Sequence, residues 1–185
     1  MNAAQLLALE QFFRKEYESL CRYVYCIVSS SDDTVEIVQE AFLRYCEIHL
    51  QRPSKGKERS LLFRLARNLA IDSVRRRKVR VIRRRRVEEA AAASTPAADP
   101  EQLLLAKEQR QLAQSALERL NENQKDCLLL RAAGLSYKDI AGILQLSTES
   151  IGPTLARALE KVKTAYEELV EKEASRGAIG GVRRR

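Results

Sequence analysis

Asn68 and Asp72, four residues apart in "LARNLAIDSVRRR", lead directly into Arg75 to Arg86, twelve residues that hold nine Lys and Arg and no acid. Side chains at i and i+4 share a helix face. Asn and Asp can hydrogen-bond the edges of an unstacked base, and Arg supplies charge that any phosphate accepts. The formal net charge is +8, so this one stretch carries essentially all of it and the rest of the chain is close to neutral. The chemistry indicated is contact with a polyanion, since each neutralised phosphate releases condensed counterions. The plainer alternative is a solvated charged face, with the basic residues complementing a helix C-terminus and Asp72 pairing with an Arg of its own helix.

Two other constellations are suited to binding. Asp33, Glu36, Gln39 and Glu40 give a polar, mostly acidic face to the first turns of one helical segment, the complement of a basic partner. Further on, Ile151, Leu155, Ala158, Leu159 and Val162 fall on one side of a helical pattern, and Ser150, Thr154, Arg157 and Lys161 on the other. Catalysis has no comparable support. The one His, His49, stands apart from any nucleophile set, and no acidic metal cluster appears. Cys21-x4-Cys26 and Cys46-x2-His49 match no strong zinc signature and lie in apolar helical patterns. Cys21, Cys26, Cys46 and Cys127 therefore read as core thiols, with no metal or cofactor implied.

The elements that must position these residues are helices. Seven Gly and four Pro leave little turn chemistry for strands, and 31 % charged residues with 5 % aromatics suit helices with wet faces. Residues 3 to 29 place Leu6, Leu9, Phe12, Phe13, Tyr17, Leu20, Val24 and Ile27 at helical spacing. "SSSDD" breaks that helix and caps a second, with Val35, Val38, Ala41, Phe42 and Tyr45 inward. After the loop "QRPSKGKERS", a third helix carries Leu62, Leu65 and Leu69 into the basic run.

"VEEAAAASTPAADP" has two prolines and no stripe of large apolar residues, and reads as a linker. Beyond it, Asn121 with Gln124 forms a capping box before a helix that Gly134 ends. Ser136 with Asp139 opens another short helix, "QLS" makes a tight turn, and Ser147 caps the last helix. The pattern is a helix-turn-helix. The predicted architecture is all-α: a helical domain over 1–86, a linker over 87–102, a helix-turn-helix domain over 103–170 and a disordered basic tail over 171–185. The apolar runs are too short to cross a membrane and the N-terminus lacks a signal-peptide pattern, so the chain is expected in the cytoplasm.

"DDTVEIVQEAFLRYCE" with "SLLFRLARNLAIDSVRRRK" resembles domain 2, and "LNENQKDCLLLRAAGLSYKDIAGILQLSTESIGPTLARALEKVK" domain 4, of the extracytoplasmic-function sigma factors of bacterial RNA polymerase. The resemblance covers roughly residues 5 to 170 in the family's order. It implies that Asp33, Glu36, Gln39 and Glu40 dock on the clamp helices of core polymerase. It also implies that Asn68, Asp72, Arg75, Arg76 and Arg77 meet the minus-ten element. The second helix of the helix-turn-helix would enter the major groove at minus-thirty-five through Thr148, Ser150, Gly152, Pro153, Thr154, Arg157 and Lys161. Tyr137 and Lys138 would touch the DNA backbone, and the flank would meet the polymerase flap. An anti-sigma factor is an expected partner.

Three departures stand out. Many relatives have Trp where this chain has Leu61, and Gly in the turn where it has Gln145. Where relatives often read "TVKSRL", it has Ser150-Ile151-Gly152-Pro153-Thr154-Leu155, which removes two basic side chains and puts Pro inside a helix. Pro153 deprives the Glu149 carbonyl of its helical partner, and a bend is expected there. Two competing readings are a helix-turn-helix regulator that does not recruit polymerase, and a DNA-processing enzyme such as a recombinase.

Overall fold

The computed structural model describes residues 3–51, 56–84 and 111–180, with side chains over 5–51, 56–77 and 111–172. The regular structure among them is helical: α1 (Ala3–Val28), α2 (Ser31–Gln51), α3 (Glu58–Arg84), α4 (Glu122–Ala132), α5 (Tyr137–Leu144) and α6 (Thr148–Gly180). Residues 111–117 form a further helical stretch. The predicted linker, 87–102, lies outside the described residues, as do Arg85 and Arg86 of the basic run.

Contacts group the chain into two compact units. One comprises Met1–Ala91 with Leu129–Leu146, and the other Ala92–Leu128 with Ser147–Arg185.

In the first unit α1, α2 and α3 pack on one another around Leu20, Val24, Val38, Leu62 and Phe63, none of which retains accessible surface. Each such side chain contributes about 1.5–3 kcal/mol by leaving water. Aromatic pairs reinforce the seams: Phe12 lies 5.0 Å from Tyr45 between centroids, Phe13 4.4 Å from Phe42 and Tyr23 5.5 Å from Phe63. Burial pushes the Tyr45 hydroxyl up to about 12, with Glu58 and Cys46 adding to the shift.

The inward faces differ in phase from the predicted stripes. On α3 the fully buried positions are Leu62, Phe63, Ala66 and Ala70, whereas Leu65 and Leu69 are half-buried. Two alanines one turn apart let the facing helix approach closely, so the small residues rather than the leucines mark the contact. Val35 of α2 is 43 % exposed, its place inside being taken by Thr34 and Ile37. Leu6 stands out in solvent near the start of α1.

The turn between α1 and α2 closes with Ser29 at φ 55°, whose N–H reaches the Tyr25 carbonyl at 2.8 Å. Ser30 begins α2: its hydroxyl accepts from the Asp33 N–H and its carbonyl from the Thr34 hydroxyl. Of the four cysteines only Cys127 is buried; Cys21, Cys26 and Cys46 are half-buried, at the edges of the stripes rather than in the core expected for them.

In the second unit the buried set is Ala116, Leu120, Cys127, Ile151, Leu155, Ala158 and Ala165. Asn121 and Gln124 form the expected reciprocal capping box at the start of α4, with bonds of 2.9 and 3.3 Å. The Ser147 hydroxyl accepts from the Ser150 N–H at 3.3 Å and so caps α6. That helix continues to Gly180, past the point where a disordered tail was expected, because residues 171–176 continue in good helix formers.

Candidate nucleic-acid and protein interfaces

The acidic face of α2 is set by its cap and its buried stripe. With Thr34, Ile37, Val38 and Ala41 inward, Glu36 and Gln39 are turned to solvent and Asp33 and Glu40 lie at its margin. Glu40 holds Arg44 at 2.7 Å, an exposed i,i+4 pair of the kind that orders side chains more than it stabilises the fold. Asp33 is engaged differently: it pairs with Arg77 of α3, which also donates to the Val28 carbonyl at 3.2 Å. Asp33, Glu36, Ile37, Ser73, Arg76 and Arg77 line one open cleft of about 500 Å³. Mixed charges and an open rim suit a macromolecular edge better than an enclosed small molecule.

On α3, Asn68 and Asp72 are both exposed and one turn apart, opposite Leu62, Ala66 and Ala70. Arg75 and Arg76 follow in solvent. Arg77, by contrast, is held over the α1–α2 turn by its two partners. Of the three arginines it is the one whose charge is already engaged, so the structure ties the expected DNA face to the expected protein face through a single ion pair.

The helix-turn-helix is built on local bonds. Gly134, at φ 85°, ends α4: its N–H reaches the Arg131 carbonyl at 2.8 Å, and the Leu135 N–H reaches Leu130 at 3.1 Å. Ser136 caps α5 with both halves of its capping box formed. Burial alone would push the Asp139 carboxyl up. Hydrogen bonds from the Ser136 and Ser60 hydroxyls and the Ser136 N–H, with the Arg59 charge nearby, outweigh it and hold the carboxyl below its ordinary value. Gln145, in the turn, adopts φ 57° and ψ 42°, the left-handed conformation that glycine would take at less cost. The Leu146 N–H closes the turn on the Ala141 carbonyl at 3.0 Å.

Tyr137 is 43 % exposed with the Arg131 guanidinium 5.5 Å from its ring centroid, and Lys138 is exposed beside it. On α6, Thr148, Pro153, Arg157 and Lys161 face solvent, and Gly152 and Thr154 are half-buried. Ser150 spends its donor on the Ser147 carbonyl at 2.7 Å, which leaves its oxygen as an acceptor. The helix is continuous through Pro153. The lost N–H is confined to one carbonyl near an exposed helix start, where water can serve it. Leu159, expected on the packing side, is 57 % exposed. It lies eight residues beyond Ile151, and at about 100° per residue that turns it to the flank of the buried stripe.

Sequence reasoning missed Arg59, Ser60 and Glu16. Glu16 is buried at 3 % exposure and accepts from Arg59 at 2.7 Å. Its partner stands 43 residues further along the chain, beyond the reach of any periodic signal.

Comparison with known families matches two stretches of the chain. The model for Sigma-70 region 2 matches residues 12–80, and that for Sigma-70, region 4 matches residues 110–162. Two regions of one family in their order define the class: the chain belongs to the sigma-70 family and is a transcription initiation sigma factor. Within that family it is an extracytoplasmic-function (ECF) sigma factor. It is similar to two ECF RNA polymerase sigma factors of Bacillus subtilis (strain 168). SigM is 22 % identical over 86 % of this chain and 96 % of its own, and SigX is 24 % identical over 89 % and 88 %. In fold it resembles sigma factor RpoE of Bartonella quintana, solved with the anti-sigma factor NepR, at a TM-score of 0.65 and 20 % identity over 85 % of this chain and 96 % of that one. CnrH, solved with the cytosolic domain of CnrY, gives 0.59 and 20 % over 88 % and 90 %.

Proposed function

We propose that this sigma factor divides its work among three surfaces. The acidic face of α2, centred on Glu36, Gln39 and Glu40 with Asp33 at its edge, docks on the basic clamp helices of bacterial core RNA polymerase. Asn68 and Asp72 of α3 hydrogen-bond unstacked bases of the minus-ten element while Arg75 and Arg76 neutralise phosphates. Thr154, Arg157 and Lys161 of α6 meet the major groove at minus-thirty-five, with the acceptor of Ser150 and the hydroxyl of Thr148 beside them. Tyr137 and Lys138 touch the backbone. Gly152 and Pro153 offer no polar side chain, so readout there rests on close backbone approach and DNA shape.

The observation that carries this reading is that α3 and α6 each set a polar, exposed face opposite a fully buried one, in a chain matched by two sigma regions in order. Co-elution with purified core polymerase, followed by footprinting on a promoter fragment, tests it. Protection centred on both elements is expected, and Asn68→Ala or Asp72→Ala should remove the minus-ten part alone. Protection at minus-ten that survives both substitutions would overturn the base-reading assignment. One solved relative is in complex with the anti-sigma factor NepR and the other with the cytosolic domain of CnrY, which supports an anti-sigma factor as a partner here.

A further inference from the structure

The outward side of α2 continues past its acidic residues. Asp32, Glu36, Gln39, Leu43, Glu47 and Leu50 all face solvent, at steps of four, three, four, four and three, and so form one line opposite the buried Thr34, Ala41 and Tyr45. Leu43 is 62 % and Leu50 51 % exposed, and Leu43 is the most exposed large hydrophobic side chain among the described residues. Scattered leucines are ordinary on a protein surface; two in line with a charged binding face are not.

Glu36, Leu43 and Leu50 are seven residues apart, and Gln39 and Cys46 fall between them at the intermediate heptad places. By that spacing a helix keeps one seam turned toward a second helix laid along it. From Glu36 to Leu50 the seam runs about 21 Å. Its first half is acidic and its second half apolar. Cys46 is half-buried at the margin of the apolar half, where burial pushes its thiol up and keeps it neutral. Glu47 borders the same half. Arg44, the one Lys or Arg in α2, is paired with Glu40 at 2.7 Å, so acid dominates the rim around the two leucines.

We propose that Leu43 and Leu50 extend the polymerase-docking face of α2 beyond Glu40, as an apolar anchor seated against a clamp helix of core polymerase. The helix that fits is basic at one end, opposite Asp32 and Glu36, and apolar at the other, opposite the leucines. This rests on the assignment of the acidic face to core polymerase and adds a contact of different physics. Charge steers the approach, whereas leucines that leave water inside a polar rim slow the departure.

The test measures affinity of the full chain for purified core polymerase without DNA, at about 0.1 M and about 0.5 M potassium chloride. The variants are Leu43→Ala, Leu50→Ala, Leu43→Met and Glu36→Gln. Both alanine variants should keep the unfolding temperature, because the side chains are exposed and Ala suits a helix. Each should bind core at least about fivefold more weakly at both salt concentrations, through faster dissociation. Leu43→Met, which keeps an apolar side chain of similar reach, should bind within twofold of the unaltered chain. The loss in Glu36→Gln should instead shrink at the higher salt. If Glu36→Gln weakens binding and both alanine variants stay within twofold, the apolar anchor is overturned and the acidic face stands. If the unaltered chain binds core and none of the variants changes its affinity, the acidic-face assignment falls as well. Sedimentation of the free chain covers the other occupant: a dimer that Leu43→Ala dissociates, with core affinity unchanged, would assign the leucines to a second copy and overturn the proposal.

Discussion

Asp33 is asked to do two things, to hold Arg77 and to face polymerase, and a charge reversal separates them. Arg77 is 49 % and Asp33 31 % exposed, so screening reduces their ion pair to about 0.5–1 kcal/mol. The Arg77 bond to Val28 adds about 1 kcal/mol. Asp33→Arg turns the attraction into repulsion and presses Arg77 away from that carbonyl, a loss of about 1–2 kcal/mol and several degrees in Tm. The swap Asp33→Arg with Arg77→Asp restores an ion pair across the same gap and should recover most of the Tm. Affinity for core polymerase, measured without DNA, should behave otherwise. A basic residue at 33 opposes a basic partner in both variants, and each should bind at least about tenfold more weakly, or about 1.4 kcal/mol. If the swap restored core affinity along with Tm, Asp33 would act only by bracing the α1–α2 turn, and its assignment to the polymerase face would be wrong.

Other substitutions probe the remaining surfaces. Replacing Gly152 with Lys and Pro153 with Ser should change minus-thirty-five preference in a promoter-selection experiment while leaving core affinity within twofold; unchanged preference would make the pair a tolerated irregularity. Gly134→Ala forces a side chain into φ 85° and should cost about 1–2 kcal/mol by thermal unfolding. Asp139, whose carboxyl is held low, contributes stability that is present above the ordinary aspartate value and is lost as the pH falls through the lowered one. Acid titration followed by circular dichroism should therefore show a shallower loss in Asp139→Asn, and identical acid limbs would remove that linkage.

The local devices were legible in the sequence because each closes within a few residues. The capping boxes of Asn121 with Gln124 and Ser136 with Asp139, the Ser147 cap, the Gly134 stop and the strained Gln145 turn all appear as expected. Stripe phases were less legible. Several residues lie near the boundary of an apolar sector, and small residues such as Ala66 and Ala70 can mark the closest contact while Leu65, Leu69 and Leu159 stay at its edge. The interactions joining distant segments were not legible. Arg59 meets Glu16 and Ala133, 43 and 74 residues away, with no periodicity to announce either. Arg77 was hidden in a run of like charges, where composition gives every arginine the same role and only packing singles one out.

The central claim, that this chain directs core polymerase to promoters carrying both elements, is tested most directly by run-off transcription. Purified bacterial core polymerase, the full chain and a promoter library are combined, and the transcripts are sequenced. The account predicts initiation from a distinct subset of templates that share a minus-ten and a minus-thirty-five element and depend on Asn68 and Arg157. A chain that neither co-purifies with core polymerase nor starts a transcript on any template would contradict it.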